Sequence, residues 1–328
     1  MYDVIIVGAG PCGISAGVEA KRRGLKPLLI DKGCIVNSIY HFPTHMKFFS
    51  TPELLEVGGL PFVCYGDKPV RTEALKYYRA VVDKYDLKVN TYEKVTKIEK
   101  HSEGYRVTTD YKGENRYYEA ENIVIATGYY DNPNRLNIPG GDLPKVHHYF
   151  REGHPYSGLN VLVIGGKNSA VDAALELQQA GANVTMSYRR SSFSKSVKAW
   201  VKPLIESAIN KEWIHMYWES YVRAIYEDSV LLEQNGRQFT IPNDVVFAMT
   251  GYRPDYQMLI DLGVKFDPET GAPIFNPETM ETEIPGLYIA GVIAAGYDAN
   301  SIFIENGRFH GEKIAHSIEM KKKKAALG

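Results

Sequence analysis

Cysteine is scarce in this sequence. Its 328 residues contain three, Cys12, Cys34 and Cys64, and no two of them have C-x-x-C spacing. This usage argues against a disulfide framework or a cysteine zinc site and is typical of the reducing cytoplasm, where we expect the protein. The nine histidines show no ligand spacing either, so no bound metal is expected.

A strong net charge and long apolar runs are also missing. The formal net charge is -1, which gives no whole-protein attraction to nucleic acid or membranes. No apolar run spans a bilayer, and a predicted strand begins almost at the first residue, so we expect neither a membrane anchor nor a signal peptide. The basic run Lys321 to Lys324 is expected to be a solvated tail. The length of 328 residues, with 44% hydrophobic side chains, allows two domains.

The first 31 residues carry a dinucleotide-binding pattern. Val4 to Val7 reads as a buried parallel strand, and the turn Gly8-Ala9-Gly10-Pro11-Cys12-Gly13 follows it. Ile14 to Arg23 reads as a helix, Pro27 to Ile30 as a second strand, and Asp31 closes that strand. Strand, glycine turn, helix and terminal acid together favour a dinucleotide site over a fortuitous glycine turn.

Each residue type in this pattern has a physical reason. Gly8 allows the tight turn, Gly10 lets a pyrophosphate approach the backbone, and Gly13 allows close packing of helix and strand. Asp31 can accept hydrogen bonds from ribose hydroxyls. The first site is therefore suited to an adenine dinucleotide.

The same design recurs half a chain later. Val161 to Ile164 reads as a strand, Gly165-Gly166-Lys167-Asn168-Ser169-Ala170 as the turn, Val171 to Gln179 as a helix and Val184 to Tyr188 as the next strand. Lys167 stands where the middle glycine would be; it can pair with a phosphate or point to solvent. Two such units in one chain predict two bound nucleotides.

The ends of the two second strands differ. The first carries Asp31, whereas the second runs into Arg189 and Arg190. Two guanidiniums and no acid suit a 2′-phosphate, so the second site is expected to prefer NADP(H). An NADPH site in the same chain as a second dinucleotide site needs a redox partner, and FAD is the usual one.

Other stretches complete the pattern. The segment Gly33 to Pro69 lacks a strong period and reads as an ordered excursion that can lie over a cofactor. Lys88 to Tyr118 alternates, as an antiparallel meander does. The remaining predictions are helices at Thr72 to Tyr85 and Ile302 to Ser317, and buried strands at Ile123 to Ala126, Val245 to Ala248 and Leu287 to Ala290.

These motifs resemble the two-dinucleotide flavoprotein reductases of the thioredoxin reductase superfamily. Within it, the chain is most similar to the bacillithiol disulfide reductases, also called bacilliredoxin reductases. The similarity is carried by the two glycine turns, by Ser38 to His45 (S-I-Y-H-F-P-T-H), by Ala126 to Tyr130 (A-T-G-Y-Y) and by the long run Ile289 to Gly307. It extends over essentially the whole chain.

The resemblance implies an α/β fold of two Rossmann-like domains. An FAD domain of residues 1–131 and 254–328 would hold an inserted NADPH domain of residues 132–253. The FAD contacts it implies are Gly8, Gly10, Pro11, Cys12, Gly13, Asp31, Lys32, Ser38, Ala126, Thr127, Gly128, Gly291 and Val292. The NADPH contacts are Gly165, Gly166, Lys167, Asn168, Ser169, Ala170, Arg189, Arg190 and Gly251.

By the same resemblance, NADPH and FAD would reduce bacillithiol disulfide, with a bacilliredoxin as a candidate partner and a homo-oligomer as the expected assembly.

Two departures from the wider superfamily matter. Residues 147–153 contain no cysteine where thioredoxin reductases carry a C-x-x-C pair, so direct thioredoxin reduction through such a pair is excluded. Val292 follows Gly291 where an aspartate normally contacts the flavin, so that contact is lost or moved to the backbone.

Cys12 is the catalytic candidate. At a helix N-terminus the macrodipole stabilises a thiolate, which could attack a disulfide. The alternative is a small residue that packs beside the pyrophosphate, and the spacing alone favours this packing role. The family resemblance makes a redox role an equal candidate. Three other functions also remain: a flavin monooxygenase, an NADPH reductase of ferredoxin or flavodoxin, and a flavin-bound redox sensor that does not turn over.

Overall fold

The computed structural model describes residues 1–299 and 301–327. The strands are, in chain order, β1 (Tyr2–Val7), β2 (Pro27–Ile30), β3 (Val89–Asn90), β4 (Lys94–His101), β5 (Gly104–Tyr111), β6 (Glu114–Ile125), β7 (Val146–His147), β8 (Asn160–Ile164), β9 (Asn183–Tyr188), β10 (Ile214–Trp218), β11 (Ser220–Ile225), β12 (Ser229–Gln234), β13 (Arg237–Pro242), β14 (Val245–Ala248) and β15 (Leu287–Ile289). The helices are α1 (Pro11–Arg22), α2 (Asn37–Tyr40), α3 (Pro52–Leu55), α4 (Arg71–Lys84), α5 (Asn168–Gln179), α6 (Lys202–Asn210), α7 (Gln257–Asp261), α8 (Ile304–Gly307) and α9 (His310–Leu327).

The chain divides into two compact units. The first contains residues 1–41, 46–132 and the chain from Tyr252 onward, and the second contains residues 42–45 and 133–251. The division falls after residues 132 and 251. Residues 42–45 differ from expectation: they belong to the second unit, where the Thr44 N–H donates to the Arg151 carbonyl oxygen (2.8 Å).

The sheet of the first unit has the order β3-β2-β1-β6-β5-β4, with β15 paired to β6. Strand β1 pairs in parallel with both β2 and β6, so that Val7 lies opposite Ile30 and Ile125. Strand β15 is also parallel to β6. The carboxyl ends of these four strands therefore share one sheet edge, which is where ligands bind in open α/β sheets.

Strand β6 joins two elements that the sequence analysis treated separately. Its first half pairs antiparallel with β5, with Tyr111 opposite Glu114 and Tyr105 opposite Ala120. Its second half pairs in parallel with β1 and β15. The predicted meander and the predicted buried strand are thus continuous.

The second unit contains a parallel sheet of order β10-β9-β8-β14-β7 and a separate antiparallel sheet of order β11-β12-β13. Helix α5 packs on the parallel sheet through Val171, Ala174 and Leu177, all fully buried. The strands β10 to β13 lie in a stretch to which the sequence analysis assigned no elements.

Helix α9 packs closely against α1. A Cβ at Gly311 would lie 2.6 Å from the backbone nitrogen of Ala16, so the two backbones approach at a position that only glycine tolerates. The Ser15 hydroxyl also donates to the carbonyl oxygen of Arg308 (2.5 Å), just before α9 begins. This packing places the start of α9 beside the start of α1.

The expected solvated lysine tail is instead part of α9. Lys321 pairs with Glu281, Lys322 with Asp3, and Lys323 with Glu319 in the preceding turn. All three lysines remain about half exposed or more, so these ion pairs add little to the stability of the fold.

Candidate functional site

The first glycine turn follows β1 directly. Gly8 has φ +108°, and a Cβ there would lie 2.4 Å from the Ala126 carbonyl oxygen; a Cβ at Gly13 would lie 2.0 Å from the Gly8 carbonyl oxygen. Both positions therefore require glycine. By contrast, a Cβ at Gly10 would meet no atom within 4 Å. Since α1 begins at the next residue, Pro11, the open space above Gly10 lies at a helix N-terminus, where phosphates bind favourably.

Asp31 ties this turn to the end of β2. Its carboxylate accepts the N–H of Ala9 and the N–H of Gly33, both at 2.8 Å. Burial raises the pKa of Asp31 although these two hydrogen bonds act in the opposite direction. Next to it, Lys32 pairs with Asp131 at 2.9 Å, and Ser38 lies on the short helix α2.

Thr127 supplies a buried polar atom without a partner. The Ala126 N–H donates to the Val7 carbonyl oxygen (2.8 Å), which places Thr127 and Gly128 beside the glycine turn. Among the described residues, the Thr127 hydroxyl oxygen is buried and has no hydrogen-bond partner. Since such a group is costly to leave unpaired, this hydroxyl and the space above Gly10 fit a bound dinucleotide.

Cys12 is wedged between two glycines. A Cβ at Gly291 would lie 3.0 Å from the Cys12 sulfur, and a Cβ at Gly307 would lie 2.9 Å from it. Burial, assisted by the charge of Glu305, raises the pKa of Cys12 to about 12. Desolvation therefore acts against the expected stabilisation of a thiolate by the helix dipole and favours the neutral thiol.

Cys34 and Cys64 are also free thiols. Cys34 lies near the Asn37 side-chain oxygen (3.6 Å), and the Cys64 thiol donates to the Gly66 carbonyl oxygen (2.9 Å). Burial is the main cause of the raised pKa of each. Neither has the wedged surroundings of Cys12.

The turn after β15 contains a contact that the sequence analysis missed. Gly291 adopts φ +78°, and its N–H donates to Nδ1 of His310 at 3.1 Å. Val292, on the next position, is buried. No motif in the sequence signals His310, because its partner lies nineteen residues away and the contact depends on the packing of α9.

The second glycine turn follows β8 in the second unit. A Cβ at Gly165, which has φ +141°, would lie 2.6 Å from the Met249 carbonyl oxygen. Tyr188 covers Gly166, where a Cβ would lie 2.4 Å from its ring. Lys167 is the exposed residue before α5. Beyond it, Ser169 is exposed and Ala170 is buried.

The loop after β9 is fastened to this turn. Arg189 and Arg190 are exposed at its start, and the Ser194 N–H donates to the Gly166 carbonyl oxygen (3.1 Å). Gly251, with φ +91°, lies beyond β14, and its carbonyl oxygen accepts the Asn134 N–H (2.9 Å).

The Asn168 side chain binds the loop after β9 through two hydrogen bonds. Its amide donates to the Ser196 carbonyl oxygen (2.8 Å) and accepts the Lys198 N–H (3.0 Å). Lys198 also pairs with Asp172 of α5 at 2.7 Å. The side chain predicted to contact a nucleotide is therefore engaged with the loop that carries the two arginines.

Replacing Asn168 with alanine should loosen this loop, because both hydrogen bonds are lost. We expect faster amide hydrogen exchange across residues 194–198 and a loss of about 1 kcal/mol in the free energy of unfolding. Asn168→Asp keeps the acceptor for the Lys198 N–H and should have a smaller effect. Unchanged exchange in the alanine variant would contradict the fastening role.

Within the described ranges, every helix is too short or too polar to cross a membrane. The same residues hold no cluster of three His, Cys, Asp or Glu side chains that could bind a metal ion.

The family model of the pyridine nucleotide-disulphide oxidoreductases matches residues 5–291. The fold, with mixed α/β sheets and a glycine turn at the end of β1, is that of this class of enzyme. Such enzymes work with a flavin and a pyridine nucleotide.

The chain is 50% identical to the bacilliredoxin reductase of Bacillus subtilis (strain 168), over 96% of each chain. It is similar to the solved bacillithiol disulfide reductase of Bacillus cereus, with TM-score 0.95, 50% identity and coverage of 98% of this chain and 99% of that one. For the Staphylococcus aureus bacillithiol disulfide reductase the TM-score is 0.94 and the identity 51%, with the same coverage. The chain belongs to the pyridine nucleotide-disulphide oxidoreductase family, among the bacilliredoxin reductases, and it is an oxidoreductase. This membership confirms the resemblance found in the motifs.

Proposed function

We propose that this protein oxidises NADPH, passes the electrons to FAD, and reduces bacillithiol disulfide. In this proposal the FAD domain comprises residues 1–131 and 254–328, and the inserted NADPH domain comprises residues 132–253, each with a Rossmann-like core. The solved relatives from Bacillus cereus and Staphylococcus aureus are both named bacillithiol disulfide reductases. The enzyme would work in the cytoplasm as a homo-oligomer.

The observation that carries the proposal is the pair of glycine turns with different strand ends. Asp31, held by the N–H groups of Ala9 and Gly33, suits the bare ribose of FAD. Arg189 and Arg190 are exposed at the corresponding end in the second unit and suit the 2′-phosphate of NADPH. One site of each kind is what an NADPH-dependent flavoprotein needs.

The residues of the first unit would bind and orient the cofactor. The N-terminus of α1, open above Gly10, would receive the pyrophosphate, and the Thr127 hydroxyl would gain a polar partner. A flavin bound there would supply the two-electron chemistry that links a nicotinamide to a disulfide. The apolar, buried turn of Gly291 and Val292 would exclude water on its side of the site.

Cys12 is the proposed reacting thiol. Attack of its sulfur on the substrate would form a mixed disulfide and break the substrate disulfide, with the thiol proton passing to the leaving sulfur. Reduction of the mixed disulfide to two thiols then consumes two electrons and two protons, which NADPH and one solvent proton supply. Because the resting group is a neutral thiol, its proton must be lost during the attack.

The proposal is tested by following NADPH oxidation anaerobically with candidate acceptors. We expect turnover with bacillithiol disulfide to exceed turnover with glutathione disulfide, ferredoxin or flavodoxin. A bacilliredoxin that carries a bacillithiol mixed disulfide should not be reduced by the enzyme directly. It should be reduced by the bacillithiol that the enzyme produces. Preferred turnover with ferredoxin or flavodoxin would establish the alternative reductase, and NADPH oxidation coupled to oxygen and a hydroxylated product would establish a monooxygenase.

The purified protein should be yellow and should release FAD on acid treatment. The reason is that Asp31 and the first glycine turn serve an adenine dinucleotide, and FMN lacks the adenosine that such a turn binds. Chromatography of the released flavin decides the matter. Recovery of FMN alone, or of no flavin after reconstitution with FAD, would refute the assignment.

A further inference from the structure

His310 begins α9 and reaches back to the turn that follows β15. Its Nδ1 accepts the N–H of Gly291 at 3.1 Å. Gly291 opens a short 3-10 turn, Gly291–Ala294, whose four residues are all buried. The Gly291 N–H therefore depends on His310, since an unpaired N–H in this turn would be costly.

The conformation of Gly291 is constrained from the other side by Cys12. Gly291 has φ +78°, and a Cβ there would lie 3.0 Å from the Cys12 sulfur. A side chain at Gly291 would crowd the Cys12 sulfur and strain the left-handed backbone, so this turn contacts both the sulfur and the imidazole. Val292 has no polar side-chain group that could anchor the turn instead.

The imidazole is suited to accept this hydrogen bond. Burial, followed by the charge of Lys313, lowers the pKa of His310 to about 4. At neutral pH the ring is therefore neutral, and because Nδ1 accepts the Gly291 N–H, the ring proton lies on Nε2.

We propose that His310 is a positioning residue for the flavin: it fixes the Gly291 turn in its left-handed conformation against Cys12, so that the turn presents its backbone to the cofactor. The inference rests on the proposed flavin site, because it concerns the same sheet edge at the ends of β1 and β15. Its immediate consequence, protection of the Gly291 N–H, holds without any cofactor.

Three variants of His310 distinguish the effect of losing the hydrogen bond from the effect of losing the volume of the imidazole ring. His310→Asn places a side-chain oxygen near the position of Nδ1, whereas His310→Gln places one near the position of Nε2. His310→Leu removes the acceptor altogether. The exposed His316 on the same helix gives a matched control, His316→Leu.

We expect His310→Leu to raise the dissociation constant of FAD about tenfold, because without the acceptor the turn would hold its binding-competent conformation only about one-tenth of the time, and the apparent dissociation constant rises in inverse proportion. His310→Asn should stay within about threefold of the starting protein, His310→Gln should behave like His310→Leu, and His316→Leu should change nothing. The dissociation constants come from titration of the apoprotein with FAD. Hydrogen–deuterium exchange of a peptide covering residues 287–295 in the apoprotein includes the Gly291 N–H, and this peptide should exchange faster in the leucine and glutamine variants.

The two readouts distinguish failure of this inference from failure of the proposed function. If the starting protein binds no FAD, the flavin assignment fails, and the role of His310 as a flavin-positioning residue fails with it even if exchange still shows the hydrogen bond. If the starting protein binds FAD and His310→Leu matches it in both affinity and exchange, only the role of His310 is overturned. Equal weakening in all three His310 variants, with equal loss of thermal stability, also overturns it. If the leucine variant does not fold, tighter FAD binding by the asparagine variant than by the glutamine variant supports the role, and equal binding overturns it.

Discussion

Replacing both Arg189 and Arg190 with alanine should raise the KM for NADPH and lower kcat/KM with NADPH by about 10- to 100-fold. The reason is the loss of a charge-assisted hydrogen bond to the 2′-phosphate; losing one such contact costs about 1.5–3 kcal/mol, or about one to two decades in kcat/KM. NADH lacks that phosphate, so its kcat/KM should change much less. Flavin reduction by each nucleotide, followed by stopped-flow absorbance, measures the effect.

The exposed Arg237 of β13 offers a control for the loss of surface charge in the same unit. Arg237→Ala should leave the preference for NADPH unchanged. Equal use of NADPH and NADH by the starting protein would refute the assignment of the second site, as would an equal decline with both nucleotides in the double variant.

The loop that carries these arginines shows where sequence reasoning ends. The strand before it and the helix α5 beside it could be predicted because hydrophobic periodicity and glycine are local signals. The fastening of the loop could not, because the bonds from Asn168 to Ser196 and Lys198 join residues about thirty apart. A polar residue at a helix start predicts a cap or a ligand contact, and only the folded chain shows which groups it meets.

In the first unit, too, local features could be predicted from the sequence and long-range ones could not. The bounds of β2 are those predicted, Pro27–Ile30, because an apolar run of this length between turn residues suits a strand and is too short for a typical helix. The continuity of β6 was missed, because its first half is largely exposed whereas its second half is mostly buried. One strand therefore shows two sequence patterns, one for each environment.

Electrostatics at Cys12 could not be predicted for the same reason. The sequence shows a cysteine at a helix N-terminus, which favours a thiolate. The structure adds Gly291 and Gly307 against the sulfur and Glu305 nearby, all from the other end of the chain. Desolvation by these distant residues opposes the dipole and outweighs it.

Replacing Cys12 with alanine should abolish disulfide reduction and preserve flavin reduction. The variant should still bind FAD, because alanine leaves the glycine turn and its contacts with Gly291 and Gly307 free of strain. Its flavin should still bleach with NADPH under anaerobic conditions, since hydride transfer needs no cysteine. Turnover with bacillithiol disulfide should fall by at least about 100-fold, the expected loss when a reacting nucleophile is removed.

Cys64→Ala is the matched control, because Cys64 is a free thiol on a loop of the same unit and should be dispensable. Burial raises the pKa of Cys12 to about 12, so very little of its thiol is ionised at pH 8, and iodoacetamide should label Cys64 before Cys12 in the resting enzyme. Labelling of Cys12 should rise with pH, because its thiolate fraction increases about tenfold per pH unit below the pKa.

A bacillithiol adduct on Cys12, trapped and located by mass spectrometry, would identify the sulfur that attacks. Full turnover by Cys12→Ala would instead make Cys12 a packing residue, with electrons passing from flavin to disulfide directly; if that variant fails to retain FAD, Cys12→Ser applies the same test with the volume of the side chain preserved.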